Sequence, residues 1–131
     1  MDGCDAAVTT LGGVNEDGRR VDYKGNSNVV EAAGILGVTR LVLVTSVGCG
    51  DSRVAVSDQV YDVLKDALEE KTKVENQLNK FYKFTTDFTI IRPGGLVTAP
   101  ATGKAELTVS STSSHAFYTF FLILLAEALF I

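Results

Sequence analysis

The stretch Arg40-Leu-Val-Leu-Val-Thr-Ser-Val-Gly-Cys-Gly-Asp-Ser52 constrains the fold more than any other part of the chain. From Leu41 to Thr45 every residue is apolar or β-branched, without alternation. That is the pattern of a strand covered on both faces, as in a parallel sheet packed by helices. Such a strand makes its own C-terminal edge a site, because ligands of open α/β sheets bind outside the carboxyl ends of the strands. Here that edge presents the hydroxyls of Thr45 and Ser46, followed by two glycines that let a ligand approach the backbone. The hydroxyls can orient a carbonyl or contact a cofactor; taken alone, they serve equally to satisfy backbone groups at a strand end.

Two further apolar runs end the same way. Ala6 to Thr10 reads as a strand closed by Leu11-Gly12-Gly13, and Phe88 to Arg92 as one that stops at Pro93-Gly94-Gly95. Between the first two strands, Val21, Gly25, Val29, Ala32, Ala33 and Leu36 fall at helical spacing, so Val21 to Leu36 is expected as an amphipathic helix stopped by Gly37. After a loop over Ser52 to Val56, Ser57 or Asp58 caps a long helix from about Gln59 to Tyr82. Its apolar side carries Val60, Leu64, Ala67, Leu68, Val74, Leu78 and Tyr82, with Lys71 near the middle of the stripe. A lysine aimed at the sheet either snorkels or has a partner there. Alternation of strand and helix makes this βαβαβ, a parallel sheet with right-handed crossovers.

Residues 110 to 114 read as a polar linker, preceded by a short strand over Lys104 to Val109; His115 to Ile131 is almost wholly apolar apart from Glu127. The chain therefore divides into a domain over 1–109 and a linker with tail over 110–131. Three strands taken in one direction put both helices on one face of the sheet. The tail from Phe117 to Phe130 is expected as a helix across the opposite, bare face. A membrane anchor through 115–131 ranks second, since the segment is shorter than the roughly 20 residues that span a bilayer.

With 131 residues, 46% of them hydrophobic and 21% charged, the chain is expected as one globular unit, and a net charge of −4 gives no electrostatic reason to expect nucleic acid as a partner. Cys4, Cys49 and the single His115 form no cluster of metal-ligand spacing, so free thiols and no metal are expected. The start, Met-Asp-Gly-Cys-Asp, lacks the basic and apolar regions of a secretion signal, which points to cytoplasm or plastid stroma.

Five segments together carry a family resemblance: Gly3-Cys-Asp-Ala-Ala-Val with Leu11-Gly12-Gly13; Val21-Asp-Tyr-Lys-Gly-Asn; Leu41-Val-Leu-Val-Thr-Ser; Glu70-Lys71 to Glu75; and Thr89-Ile-Ile-Arg-Pro-Gly-Gly-Leu96. In their order and spacing, from about residue 3 to 108, the chain resembles the atypical short-chain dehydrogenase/reductases, specifically the NmrA-like NAD(P)H-binding group. The resemblance implies a partial Rossmann-type domain equivalent to strands four to six. The family's Gly-x-x-Gly-x-x-Gly pyrophosphate turn is absent from this sequence. It implies an NAD(P) cofactor, with NAD and NADP not distinguished, and an unknown small-molecule substrate. Thr10, Leu11, Gly12 and Gly13 would run under the ribose and pyrophosphate, with Thr45 beside them at the cofactor. Ser46 would orient the substrate, Lys71 would hold the cofactor ribose, and Pro93 with Gly94 would border the nicotinamide. The family's catalytic tyrosine, four residues before the lysine, is here Ala67. Tyr61-Asp-Val-Leu-Lys65 spells the Tyr-x-x-x-Lys motif, but the helical phase turns Lys65 away from the sheet. The resemblance thus implies a reductase, a non-catalytic dinucleotide-binding regulator, or an inactive truncated product.

Overall fold

A computed structural model describes residues 3–82, 87–96, 106–110 and 119–123. The elements are β1 (Ala6–Thr9), α1 (Lys24–Ile35), β2 (Arg40–Val44), a 3-10 turn (Gly50–Ala55), α2 (Asp58–Gln77) continued by a π-helical turn (Leu78–Tyr82), β3 (Asp87–Pro93), β4 (Glu106–Ser110) and β5 (Thr119–Ile123). They form one sheet in the order β1-β2-β3-β5-β4, parallel except for β4, which runs antiparallel to β5. The expected βαβαβ core is present, with Ser57 capping α2 by accepting from the Val60 N–H. The stretch expected as a loop over Ser52 to Val56 is mostly the 3-10 turn.

Both helices pack on one face of the sheet. Val30 and Ala33 of α1 and Val74 and Leu78 from α2 and its extension bury against Leu41 and Leu43 of β2 and Phe88 and Ile90 of β3. Burying a large aliphatic or aromatic side chain contributes about 1.5–3 kcal/mol, so this cluster is what holds the helices down. The expectation that the central strand is covered on both faces is corrected here. Val42 and Val44 on the reverse face are only half-buried, and Val8 of β1 is 67% exposed. An unbroken apolar run signals a strand suited to two-sided cover without supplying the second cover.

Two other expectations change. On α1 the buried positions are Asn26, Ser27, Val30 and Ala33, with Asp22 buried just ahead, so the inward face is rotated from the apolar stripe read off the sequence. The reason is that Asp22 and Asn26 serve the β1 turn. The second change is in the tail, expected as a helix over Phe117 to Phe130. Residues Thr119–Ile123 are instead β5, paired parallel with Ile90 to Pro93. A free β3 edge would leave a row of backbone N–H and C=O groups unpaired, and Thr-Phe-Phe-Leu-Ile is β-branched and aromatic. The remainder of that expected helix lies outside the described residues. Among the described residues no helix is long and apolar enough to cross a membrane.

Candidate active site at the strand ends

The site begins where the chain after β2 keeps pairing with β3 beyond Val44. Thr45 N–H donates to the Ile91 carbonyl at 2.8 Å and Val47 N–H to that of Pro93 at 2.9 Å, which lays Ser46 alongside Pro93 and Gly94. The turn after Ser46 is closed on itself. Gly48 N–H donates to Ser52 Oγ at 2.9 Å, and that hydroxyl donates to the Cys49 carbonyl at 2.6 Å. Gly48 has φ +96°, which disfavours an L side chain, and a Cβ there would meet Leu68 and Val56 at 3.2 Å. The turn is thereby seated on α2.

A cavity of about 430 Å³ opens at this edge. Thr10, Thr45, Ser46, Lys71, Pro93 and Gly94 all line it, so six of the residues proposed from sequence converge on one space. Apolar walls come from Val44, Leu64, Leu68 and Leu96. Ala67 lines it too, one helical turn before Lys71. Leu11, Gly12 and Gly13, also proposed from sequence, are not among its lining residues and form the turn after β1. Asn26 holds that turn by donating to the Leu11 carbonyl at 3.0 Å while accepting from Thr9 Oγ at 2.6 Å. Gly13 N–H donates to Asp22 Oδ2 at 3.3 Å.

Lys71 points inward as its helical phase required, and its side chain is 16% exposed. Its Nζ lies 3.8 Å from Oδ1 of the buried Asp22, whose other oxygen takes Arg20 Nη2 at 2.9 Å. Gly12 leaves room for this contact. A Cβ there would sit 3.0 Å from Asp22 Oδ1 and 3.2 Å from Lys71 Nζ, so the glycine is needed for space and not for an unusual φ. Lys65 behaves oppositely: it is 56% exposed and, among the described residues, pairs with Glu69 at 3.9 Å. Tyr61 lies under the Arg53 guanidinium, 4.0 Å from its ring centre.

Thr45 carries a second commitment that sequence reading missed. Its hydroxyl donates to Glu75 Oε1 at 2.7 Å, and Glu75 is fully buried. Arg92 donates to both oxygens of Glu75, from Nε at 3.0 Å and Nη2 at 2.7 Å, and its Nη1 reaches Asp51. Burial works against the Arg92 charge, but the bonds to Glu75 and then Asp51 raise its pKa above the ordinary arginine value. Burial, and next the Glu75 charge, push the Cys49 thiol up to about 11, leaving it a neutral packing group at neutral pH. The missed signal was spacing: Leu68, Lys71, Glu75 and Leu78 follow one another at helical intervals, which places Glu75 inward with its neighbours. Among the described residues no cluster of three or more His, Cys, Asp or Glu could hold a metal ion.

The lining fits the nicotinamide-ribose half of a dinucleotide: an apolar slot for a flat ring, with an ammonium and hydroxyls for ribose and amide oxygens. A family model described as NAD(P)H-binding matches residues 1–118. The anaerobillin reductase ChuY of Escherichia coli O157:H7 is 29% identical, with a TM-score of 0.70, over 94% of this chain and 66% of that one. ChuY of the E. coli CFT073 strain is 38% identical, TM-score 0.61, over 75% and 51%. The oxidoreductase ylbE of Lactococcus lactis is 27% identical, TM-score 0.70, over 82% and 48%. The chain thus spans half to two-thirds of the length of these relatives. No curated protein matches it.

Proposed function

Because the chain belongs to the NAD(P)H-binding family, we propose that it forms the nicotinamide-side part of an atypical short-chain dehydrogenase/reductase, an NAD(P)H-dependent oxidoreductase acting on a small molecule. What supports this reading is the convergence of Thr10, Ser46, Lys71, Pro93 and Gly94 on one cavity at the carboxyl ends of parallel strands. When bound, the reduced nicotinamide supplies the hydride. Lys71 donates from its ammonium to the ribose hydroxyls, and Asp22 keeps that ammonium from swinging into solvent. Ser46, whose hydroxyl among the described residues is engaged with the neighbouring Val47 carbonyl at 3.0 Å, turns to donate to a substrate carbonyl. Pro93 and Gly94 border the ring, and Leu64, Leu68 and Leu96 keep water from it.

Ala67 favours a second reading. A methyl group where a phenol would donate a proton leaves Ser46 and Lys71 able to bind and orient, and a dinucleotide-binding regulator without turnover needs no more than that. Both readings share the cofactor, so the first test is binding. Without a Gly-x-x-Gly-x-x-Gly turn the chain lacks the N–H cluster that holds a pyrophosphate. Titration with NADPH or NADH, followed by reduced-nicotinamide fluorescence, is expected to give affinity weaker than micromolar, weakened further by Lys71→Met. Sub-micromolar affinity, or indifference to Lys71→Met, overturns the reading. Ala67→Tyr then separates the two: a rise in carbonyl reduction, up to the about 10²–10⁴-fold that a positioned acid supplies, marks a reductase site.

A further inference from the structure

The buried Glu75–Arg92 pair is an unusual way to fill a core. Taking two charges out of water is expensive, and apolar residues of the same volume are often as stabilising or more so. Its partners explain its place. Thr45 lines the cavity beside Ser46, Arg92 precedes Pro93, and Glu75 lies one helical turn beyond Lys71, so these three members of the network each lie in the cavity wall or next to a residue of it. One carboxylate thus ties together the end of β2, the end of β3 and the last turn of α2.

The ties are directional. Arg92 presents two N–H groups to the two oxygens of Glu75, a planar fork that fixes rotation as well as distance. Thr45 adds a third bond to Oε1, and Asp51 takes the remaining end of the guanidinium. The backbone closes over the pair at Gly50, with φ +53°, where a Cβ would come within 2.9 Å of Arg92 Nη2 and 3.0 Å of Glu75 Oε2. Gly50 N–H in turn donates to Thr72 Oγ at 3.1 Å, and that hydroxyl to the Leu68 carbonyl at 2.7 Å, so the turn is bound to α2 on its other side as well.

We propose that Glu75 is a positioning residue: through Arg92 and Thr45 it sets the mutual register of the three walls that carry Ser46, Lys71 and Pro93–Gly94. It touches no ligand itself, being enclosed by Thr45, Arg92 and the Gly50 backbone. Only the binding arm of the test rests on reading the cavity as the nicotinamide site.

The test uses the full chain, isotopically labelled, and the double variant Glu75→Met/Arg92→Met, which removes both charges and keeps the volume apolar. Stability is expected to stay near that of the wild type. The backbone amides of Ser46, Lys71 and Gly94 are expected to shift together, and NADPH affinity to fall about tenfold or more, since small misplacements of a binding group weaken it steeply. An unmoved set of amides with unchanged affinity overturns the proposal and leaves the pair a packing device. Should the double variant not fold, Arg92→Lys keeps the charge and loses the fork, and the same two readouts decide. If NADPH leaves the wild-type Lys71 amide unmoved, the cofactor reading fails, while the comparison of the three amides still decides the positioning role.

Discussion

Two charged contacts of helix α2 lie one turn apart on its inward side, and they are built in opposite ways. Lys71 meets Asp22 at 3.8 Å, a distance too long for a hydrogen bond, and keeps 16% of its side chain exposed toward the cavity. Glu75 meets Arg92 through two bonds of 3.0 and 2.7 Å, and both partners are buried. The first cation is restrained but has donors to spare, as a ligand-binding group requires. In the second contact both carboxylate oxygens are taken, which suits a part that must not move. A short helix segment thus separates what binds from what holds, and each kind of contact has its own expected response to mutation.

The largest effect is expected from breaking the closed pair on one side only. Arg92→Met leaves Glu75 buried with Thr45 as its one remaining hydrogen-bond donor among the contacts described above, and an uncompensated buried charge costs about 3–5 kcal/mol. Urea unfolding should show the loss directly. A loss below about 1 kcal/mol would mean that water reaches Glu75 and that the pair is not closed.

Glycines beside the two contacts sharpen the same comparison at smaller scale. Gly50→Ala places a methyl against both members of the closed pair and requires a left-handed backbone, so roughly 2–3 kcal/mol of destabilisation is expected. Gly12→Ala meets the looser contact, where only the side-chain ends of Asp22 and Lys71 must give by a few tenths of an ångström and the backbone has no positive φ. Its stability loss should stay below about 1 kcal/mol, while nicotinamide affinity falls because the ammonium is displaced. Equal losses at the two glycines, measured by urea unfolding, would erase the distinction between the contacts.

How much of this was legible in the sequence follows from the same physics. Strand and helix order could be read because apolar periodicity and glycine punctuation are local signals, and Lys71 could be read because a charge in an apolar stripe stands out. The closed pair was not: helical spacing turns Glu75 inward, but no local signal links it to an arginine seventeen positions away. Asp22 and Asn26 escaped for a related reason: ranking positions by apolarity turned α1 to show Val29 and Leu36 inward, whereas the unpaired groups of the β1 turn required polar partners there. The tail was misread for want of a non-local fact, the open edge of β3 that Thr119–Ile123 fills. Apolar content measures how much surface a segment wants to bury and is silent about which backbone groups wait for it.

The smallest expected effect comes from the literal Tyr-x-x-x-Lys motif, and it guards the assignment of Lys71. Lys65 and Glu69 form an exposed pair of the kind worth about 0.3–0.5 kcal/mol at most, so Lys65→Met should leave stability nearly unchanged. Tyr61→Phe keeps the ring that packs under Arg53 and removes only the hydroxyl. Neither residue lines the cavity that holds Ser46 and Lys71, so both variants should bind NADPH as the parent chain does, against a clear loss for Lys71→Met. Parallel fluorescence titrations of the three variants decide the matter. Loss of binding in Lys65→Met and Tyr61→Phe with Lys71→Met unaffected would move the cofactor to the other flank of α2, where Tyr61, Arg53 and Lys73 line a separate cavity of about 420 Å³.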